Sequence, residues 1–404
     1  MSTLKVDAIR HNSATSDAIT TAANGTCTAN ITNNLSNRRI NVNGALNVAQ
    51  RYTSGTTTPV FMADRYKAAF GSINVTVTGS QQSLTSSDTP YSLGFRKFGR
   101  IALASAATAG ANDFVEVLHK FEGQDINSSG WDHTSSSSNI TISFWFRCST
   151  NQTFYADLRS RDGTSYVYSF SFTASGNNTW TKITKTIPGN SNVQIDNDNG
   201  NGLDFRIRVY FGSDYTDNVT LDQWRTHSNS TQTQNMASTW LEAGASTFDV
   251  TGFQFEAGSV ATDFEHLSYG DELQRCRRYY QVLVDQAGGS SQKSFAIACA
   301  YTSTSMHSTH LLSPEMRAVP TLDYTTGTDY YRAFSNGSAD GFNAFNLVGN
   351  SHPHAVDLAV FSGDGVSVTA GSAVLVRTYN SAARVAFTAA VSYTHLTLPT
   401  KRIV

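Results

Sequence analysis

The sequence predicts an all-β protein with an N-terminal arm, a jelly-roll β-sandwich, a short helical hinge and a second β-sandwich-like C-terminal domain. Three observations predict this class. Only 15% of the 404 residues are charged, and Ser, Thr, Asn and Gly replace them, as is typical of turns and exposed strand faces. Apolar and polar residues alternate with period two along many short segments. One segment, near residue 270, has clear helical spacing.

Residues 1–40 are polar and weakly patterned. Leu4, Val6 and Ile9 indicate one short strand, and Asn24 with Gly25 is typical of a hairpin turn. A segment of this composition buries little apolar surface alone. We interpret it as an arm that folds against partner chains, with a flexible leader as the alternative.

Residues 41–265 are interpreted as one sandwich that begins with a strand and turn in the sequence INVNGALNVAQR. The clearest alternation lies in residues 140–147, 153–161 and 203–211. Each of these segments has one apolar face, which must pack on a second sheet. Short strands separated by turn signals favour a sandwich or jelly roll over a parallel α/β fold.

The stretch from residue 251 to residue 280 changes period part-way along. Phe253 and Phe255 alternate with polar residues, as in a half-buried strand. Helical spacing follows, with Asp271 and Glu272 near the predicted start and an apolar side formed by Leu273, Cys276 and Tyr280. We therefore predict a helical hinge over 266–281.

The hinge leads into a second β-domain at residues 282–391. Its strand-like segments are SFAIACAY, TLDYTT, AVDLAVF, AVLVRTY and RVAFTAAV. The remaining residues, 392–404, do not follow this pattern.

Composition limits the function classes. A net charge of −2 gives no reason to expect a nucleic-acid partner, because such partners usually require a basic patch. No apolar run approaches the ~18 residues of a membrane helix, so we expect no membrane insertion. The N-terminus lacks a secretory pattern, and the four scattered cysteines are typical of buried thiols.

The segment GFQFEAGSVATDFEHLSYGDELQRCRRYY resembles a junction in tail-fibre proteins of bacteriophages, especially marine ones, where it closes a jelly roll similar to carbohydrate-binding modules. The beginning STLKVDAIRHNSATSDAI resembles the starts of tail-fibre chains. INVNGALNVAQR, ADRYKA, ISFWFR and WTKITKTIPG follow in an order similar to those modules. The closing SYTHLTLPTKRIV resembles an adapter-derived sequencing tail, with an ordinary C-terminal strand as the alternative.

The resemblance implies a virion protein of the phage tail, synthesised in the host cytoplasm. It implies a homotrimer that contacts other tail proteins through its N-terminal arm. It also implies recognition of a host cell-surface glycan by the sandwich.

A candidate glycan-binding surface follows from the alternation. If the three clear strands share a sheet, their polar sides lie together and comprise Trp145, Arg147, Tyr155, Asp157, Arg159, Arg206, Arg208 and Tyr210. Aromatic rings and planar Arg or Asp groups bind sugars, whereas the alternative is a solvated face of Arg–Asp pairs. The loop aromatics Trp131, Tyr215, Trp224 and Trp240 form a second set, some of which we expect to fill the sandwich ends.

We expect no cofactor. Two short segments nevertheless suggest hypotheses for a bound metal ion. Asp196 and Asp198, in DNDNGNGLD, suggest structural calcium, with a polar turn as the alternative. His352 and His354 would point to one side of an extended segment and could bind a transition metal on a trimer axis, with a surface loop as the alternative.

We expect a binding protein and not an enzyme. G-x-S-x-G, H-E-x-x-H and P-loop motifs are absent. Glycosidases use two carboxylates, but no spacing marks a pair among Glu116, Glu122, Asp125, Glu242 and Glu256. A tail-associated polysaccharide depolymerase, glycoside hydrolase or lyase, is one alternative, and a decoration protein without a receptor role is another.

Overall fold

The computed structural model describes residues 6–15, 17–21, 23, 27–29, 37–176 and 178–389. Within these residues the protein is all-β, as predicted, and every strand pairing is antiparallel. None of the helices in this part of the chain is long and apolar enough to cross a bilayer. The predicted Asn24–Gly25 turn and the tail 392–404 lie outside the described residues.

The N-terminal arm forms a small three-stranded sheet in the order β1-β2-β3. Its strands are β1 (Ala8–Ile9), β2 (Ile19–Thr21) and β3 (Cys27–Ala29). The predicted hairpin is therefore present as the β2–β3 pair, in which Thr20 lies opposite Thr28.

The sandwich contains thirteen strands and three short helices. In chain order these are β4 (Ser54–Gly55), β5 (Val60–Ala63), β6 (Tyr66–Gly71), β7 (Val77–Ser83), α1 (Thr89–Ser92), β8 (Lys97–Leu103), β9 (Phe114–Glu122), α2 (Gly123–Asn127), β10 (Asn139–Cys148), β11 (Asn151–Ser160), β12 (Tyr166–Ser175), β13 (Thr181–Pro188), β14 (Asn201–Phe211), β15 (Trp224–Thr226), α3 (Thr239–Glu242) and β16 (Thr247–Ala257). The six-stranded sheet has the order β13-β10-β16-β8-β7-β4, and the seven-stranded sheet has the order β15-β12-β11-β14-β9-β6-β5.

Aromatic rings from both sheets interdigitate between the layers. Phe253 of β16 stacks on Phe144 of β10 at 5.6 Å and on Tyr66 of β6 at 4.7 Å between ring centroids. All three rings are fully buried. The predicted alternation directs both Phe253 and Phe255 into the core, as expected. The strand is not half-buried as predicted, because Gln254 and Glu256 on its other side are also buried.

The expected opening strand at residues 40–51 is wrong, because no strand lies there. This segment is irregular, and buried amides satisfy its backbone. The Asn41 amide donates to the Phe253 carbonyl at 2.8 Å, and the Asn43 amide donates to the carbonyls of Val48 and Asp64, both at 2.8 Å. Buried polar groups require such partners, so the two asparagines replace ladder hydrogen bonds.

The predicted helix is present as α4 (Tyr269–Arg277), and Ser268 caps it by accepting a hydrogen bond from the Asp271 amide. Tyr280 was expected on its apolar side but begins the next strand instead. The side that faces the protein buries a charge that was not predicted. The Glu272 carboxylate accepts hydrogen bonds from the Arg39 guanidinium and from the backbone N–H of Asn43.

The C-terminal unit is a second sandwich-like pair of sheets. Its strands are β17 (Tyr280–Asp285), β18 (Ser294–Thr302), β19 (Ser305–Leu311), β20 (Thr321–Tyr324), β21 (Tyr331–Ser335), β22 (Ser338–Phe342), β23 (Asn346–Leu347), β24 (Ala355–Val360), β25 (Ala373–Thr378) and β26 (Arg384–Thr388), with a 3₁₀ turn at Ser362–Asp364. A three-stranded sheet, β17-β26-β20, packs with a seven-stranded sheet, β22-β21-β25-β18-β19-β24-β23.

Side chains connect the two sandwiches directly. Arg278, just after α4, donates to both oxygens of Glu122 at 2.9 and 2.8 Å. Arg384 of β26 donates to the carbonyl of Gln50 at 2.8 Å, and the Gln50 amide donates to the carbonyl of Tyr280 at 2.9 Å. Hydrogen bonds on two sides of the helical junction therefore hold the two sandwiches together.

One buried histidine gives the sandwich a pH-dependent stability. The His119 ring is 1% exposed and stacks on Tyr66 at 4.5 Å, and its Nδ1 makes no hydrogen bond with a described residue. Burial, reinforced by the nearby Arg65, lowers the pKa of His119 well below its usual value. The folded state therefore keeps this ring neutral when the unfolded chain takes up a proton.

We expect acidification below about pH 6.5 to cost about 1.4 kcal/mol of unfolding free energy per pH unit through His119, because only the unfolded state binds the proton. His119→Phe removes this contribution. Urea unfolding between pH 7.5 and 5 should give a shallower pH slope for the variant than for the wild type. If the free energy of unfolding had the same pH slope in both proteins, His119 would not be the source of the pH dependence.

Candidate functional site

The three clearly alternating strands do not share one sheet, which corrects the condition on which the predicted surface depended. β10 lies in the six-stranded sheet, whereas β11 and β14 are neighbours in the seven-stranded sheet. Trp145 and Arg147 are therefore on the opposite side of the sandwich from the other six candidate residues. Alternation determines which residues share a face of one strand, but strand pairing decides which sheet that face belongs to.

Trp145 and Arg147 belong to a closed structural cluster. Arg147 donates to Asp88 at 2.6 Å and to Asp249 at 2.7 Å, and its guanidinium lies 4.7 Å from the Trp180 ring centroid. Trp145 packs against a small apolar cluster that consists of Ala45, Leu84, Phe95, Phe98 and Trp180. These contacts occupy the groups that would otherwise face a sugar.

The side of the seven-stranded sheet that faces away from the sandwich core carries a dense set of charges, which we name the charged face, and most of these side chains are buried. Its side chains come from β6, β9, β11, β14 and β15 and from the residue that follows β11. Cations and carboxylates alternate across these strands. The ten residues of the charged face are Lys67, Glu116, Lys120, Asp157, Arg159, Arg161, Asp204, Arg206, Arg208 and Arg225.

Strand register places these residues in rows across the sheet. In one row Asp157 of β11 lies opposite Arg206 of β14. In the next row Arg159 lies opposite Asp204, which lies opposite Lys120 of β9. Residues directly opposite on one face are close enough to interact, so the rows bring opposite charges together.

Two arginines hold the centre of the charged face. Arg208 is fully buried and donates to Asp157 at 2.6 Å and to Glu116 at 2.7 Å. Arg206 donates to Asp204 at 2.9 Å and approaches Glu116 at 3.4 Å. Asp157, Arg206 and Arg208 thus form a buried ion-pair network, and no sugar reaches all three without displacing it.

The same network sets the charge state of Asp204. Burial alone would raise the pKa of this carboxyl, but Arg206, Lys120 and Arg161 outweigh burial and hold it below its usual range. Asp204 is therefore ionised, and its charge offsets part of the positive charge around it.

Three candidate residues occupy other positions on this sheet. Tyr155 and Arg159 are half-buried and reach the surface. Tyr210 is 6% exposed and belongs to the core, because a bulge between Arg208 and Tyr210 interrupts the alternation.

Unpaired polar atoms are concentrated at the charged face and the loop beside it. Seven of the thirteen buried side-chain atoms without a hydrogen bond among the described residues lie here: Asp157 Oδ1, Ser169 Oγ, Arg206 Nε, Arg208 Nη2, Arg225 Nε, His227 Nε2 and Thr233 Oγ1. Buried polar atoms normally bind ordered water or a ligand when the chain provides no partner. The region is therefore the strongest candidate site.

Comparison with solved structures finds partial similarity to a phage tailspike and to carbohydrate-binding modules. The enzymatically active domain of tailspike protein 4 from bacteriophage CBA120 matches 55% of this chain at 8% identity with a TM-score of 0.30, and the match spans 22% of the tailspike chain. A family 11 carbohydrate-binding module from Clostridium thermocellum, in complex with a β-1,3-1,4-mixed-linked tetrasaccharide, matches 54% of this chain and 100% of its own at 10% identity and a TM-score of 0.23. No family model matches the sequence, and no curated protein matches it.

The predicted loop aromatics are mostly core residues. Trp131 is 3% exposed and Trp240 is fully buried. Trp224 is half-buried, and its Nε1 donates to the Pro188 carbonyl at 2.7 Å. Tyr215 packs edge-on against Phe211 at 5.6 Å. These rings fill the sandwich or its ends, as the sequence allowed for some of them.

Sequence reasoning missed Lys120, Arg225 and His227, and it considered Glu116 only as a catalytic carboxylate and not as part of this face. The alternation of Val115 and Val117 with charged residues along β9 could have identified Glu116. Arg225 follows from no pattern, because β15 has only three residues.

Neither of the two predicted metal sites has a complete set of ligands within the described part of one chain. No group of three or more His, Cys, Asp or Glu side chains there is placed to hold a metal ion. Asp198 accepts a hydrogen bond from the Gly200 amide at 2.8 Å, and the Asp196 amide donates to Asp162 at 2.9 Å, as in a polar turn. His352 and His354 are not in an extended segment as expected but in a tight turn, which the His352 backbone closes on Ala355.

Four of the five carboxylates considered for catalysis are engaged by other side chains. Glu116 binds Arg206 and Arg208, and Glu122 binds Arg278. Glu242 accepts from Ser238, and Glu256 accepts from Thr262. Asp125 lines a cleft with Arg275 and Tyr279, and burial, together with Glu122, raises its pKa.

Proposed function

We propose that this protein is a phage tail-fibre subunit that recognises host-surface glycan through the charged face of its first sandwich. The observation that carries the proposal is the set of half-buried residues Tyr155, Arg159 and Arg225 around a rigid ion-pair centre with unpaired polar atoms. The tail-fibre assignment rests on the resemblance of residues 252–280. Such a subunit would reside in the virion.

An aromatic ring and planar charged groups suit sugar recognition for different reasons. The Tyr155 ring offers an apolar surface to sugar C–H groups, and the guanidiniums of Arg159 and Arg225 offer donors to hydroxyls. Each site would bind weakly, and shared attachment to one virion would raise the overall avidity. Adhesion by many copies is therefore the proposed mechanism.

We expect Tyr155→Ala to weaken binding to isolated host-surface glycan about tenfold, because the variant loses the apolar contact with the sugar. Binding by the purified full chain is measured with immobilised glycan. Tyr52→Ala removes a ring that is 43% exposed elsewhere on the sandwich and should keep wild-type binding. Equal losses in both variants, or none in Tyr155→Ala, would count against the proposed face.

A sheet face of the second sandwich supports self-association. Ile297, Tyr301 and Leu311 are 77%, 78% and 84% exposed, and β18 and β19 place them on one side of their sheet. Large exposed apolar patches mark interaction sites. We propose that three copies meet at this face, while the arm of residues 1–40 contacts other tail proteins. A metal bound by His352 and His354 at the trimer axis remains part of this proposal.

Ile297→Asp should shift the protein from trimer to monomer, since a buried charge without a partner opposes association. Light scattering at micromolar concentration measures the mass. Val260→Asp changes an apolar residue that is 51% exposed on the first sandwich, and it should leave the mass unchanged. A wild-type monomer would exclude this role for the face.

A depolymerase is the second candidate function, favoured by the cleft at Asp125, where a carboxyl with a raised pKa resembles a general acid. Release of reducing ends from host polysaccharide that disappears in Asp125→Asn would establish it. Binding without release supports adhesion. Normal adsorption by phage that lack the protein would indicate a decoration role.

A further inference from the structure

The charged face carries surplus positive charge, although the chain as a whole does not. Its ten residues comprise seven cations and three carboxylates, whereas the chain has a net charge of −2. The three carboxylates bind the central arginines, Arg206 and Arg208. Near the β15 edge of the sheet, Arg159 and Arg225 are the cations that contribute to this surplus of positive charge.

Arg159 and Arg225 lie in the same row of the sheet. Arg159 is opposite Val167, and Val167 is opposite Arg225. Two strand spacings separate their Cα atoms by about 10 Å, a distance that two long side chains can bridge toward one group. Val167 carries no charge that would compensate either guanidinium.

Neither guanidinium forms an ion pair with a described residue. Arg159 Nε donates to the Ser165 hydroxyl at 2.9 Å, and Arg225 Nη2 donates to the Gln232 carbonyl at 2.8 Å. A guanidinium has five N–H donors, so most of them remain available. Arg225 Nε is buried and makes no hydrogen bond with the described residues.

Burial disfavours both cations, and the charges around them act in both directions. Burial, together with Arg161 and Arg206, lowers the pKa of Arg159 to about 9. Burial also lowers the pKa of Arg225, although Asp157 opposes this effect, and Arg208 adds to it. A bound anion would remove this electrostatic cost.

We propose that the Arg159–Arg225 row is a subsite for the anionic group of an acidic saccharide, a carboxylate or sulfate held between the two guanidiniums. The inference rests on the proposed glycan-binding function and narrows its ligand class. Guanidinium forks bind such groups through paired hydrogen bonds, which gives specificity as well as attraction.

Calorimetric titration of the full chain at fixed ionic strength tests the subsite with alginate as the carboxylated probe, dextran sulfate as the sulfated probe and dextran as the neutral one. We expect at least one acidic probe to bind more tightly than dextran. Arg159→Gln and Arg225→Gln should each weaken that binding about tenfold. Arg159→Lys should lose less, because it keeps the charge without the fork. The preferred acidic probe distinguishes carboxylate from sulfate.

Lys182→Gln removes one positive charge from an exposed position on the opposite sheet and is the matched control. Its binding should equal that of the wild type, and an equal loss would show bulk attraction and overturn the subsite. Dextran binding without acidic preference, lost in Tyr155→Ala, would overturn the subsite but keep the proposed function. Failure to bind any saccharide probe or host glycan would overturn both. Unfolding midpoints equal to that of the wild type verify that the variants are folded.

Discussion

Arg208→Met is expected to destabilise the first sandwich by about 3–5 kcal/mol, because it leaves two carboxylates buried without their cation. The Arg208 side chain is inaccessible to solvent and bridges Asp157 and Glu116. Methionine fills much of the same volume, so the loss reflects charge more than packing. Urea unfolding at pH 7 measures the effect.

Neutralising the partners should recover much of this stability. Arg208→Met combined with Asp157→Asn and Glu116→Gln removes the unpaired charges and should unfold at higher urea than the single variant. Lys182→Met, at an exposed position, should remain within about 0.5 kcal/mol of the wild type. If Arg208→Met alone were as stable as Lys182→Met, the ion-pair network would contribute little to the free energy of unfolding.

Glu272→Leu is expected to destabilise the junction by about 3–5 kcal/mol, since it leaves the buried Arg39 guanidinium without its carboxylate. Local loosening of α4 should expose Cys276, whose side chain is 1% exposed. Alkylation of this thiol, followed by peptide mass spectrometry, reports the loosening directly. Faster labelling of Cys276 is the expected result.

Gln274→Ala is the control for the junction, because this residue lies on the exposed side of α4. It should leave both the unfolding midpoint and the Cys276 labelling rate unchanged. Unchanged labelling in Glu272→Leu would show that α4 is held by other contacts.

The sequence predicted the positions of the clearly alternating strands well, but it predicted poorly which strands pair with each other. The segment expected at 140–147 is β10 (Asn139–Cys148), and the one expected at 203–211 is β14 (Asn201–Phe211). Alternation is local, so it identifies a strand and its apolar side. Pairing joins residues far apart in sequence, and no local pattern placed β10 in a different sheet from β14.

Because alternation is local, the sequence predicted only those site residues that lie on the clearly alternating strands. Tyr155 and Arg159 were correctly assigned to a polar strand face. The ion-pair partner Glu116 and the row partner Arg225 come from other strands, so the place of Glu116 on this face and the whole of Arg225 were missed. Buried polar groups such as Asn43 and Glu272 are also invisible to a hydrophobic pattern, because their burial depends on specific partners.

The closed junction has a mechanical consequence. Arg278 with Glu122 and Arg384 with Gln50 act in parallel with the covalent chain between the sandwiches. A force applied to one sandwich is therefore shared among several bonds, and reorientation of the two sandwiches requires these bonds to break. The covalent chain between the two sandwiches therefore carries only part of any force that passes from one to the other.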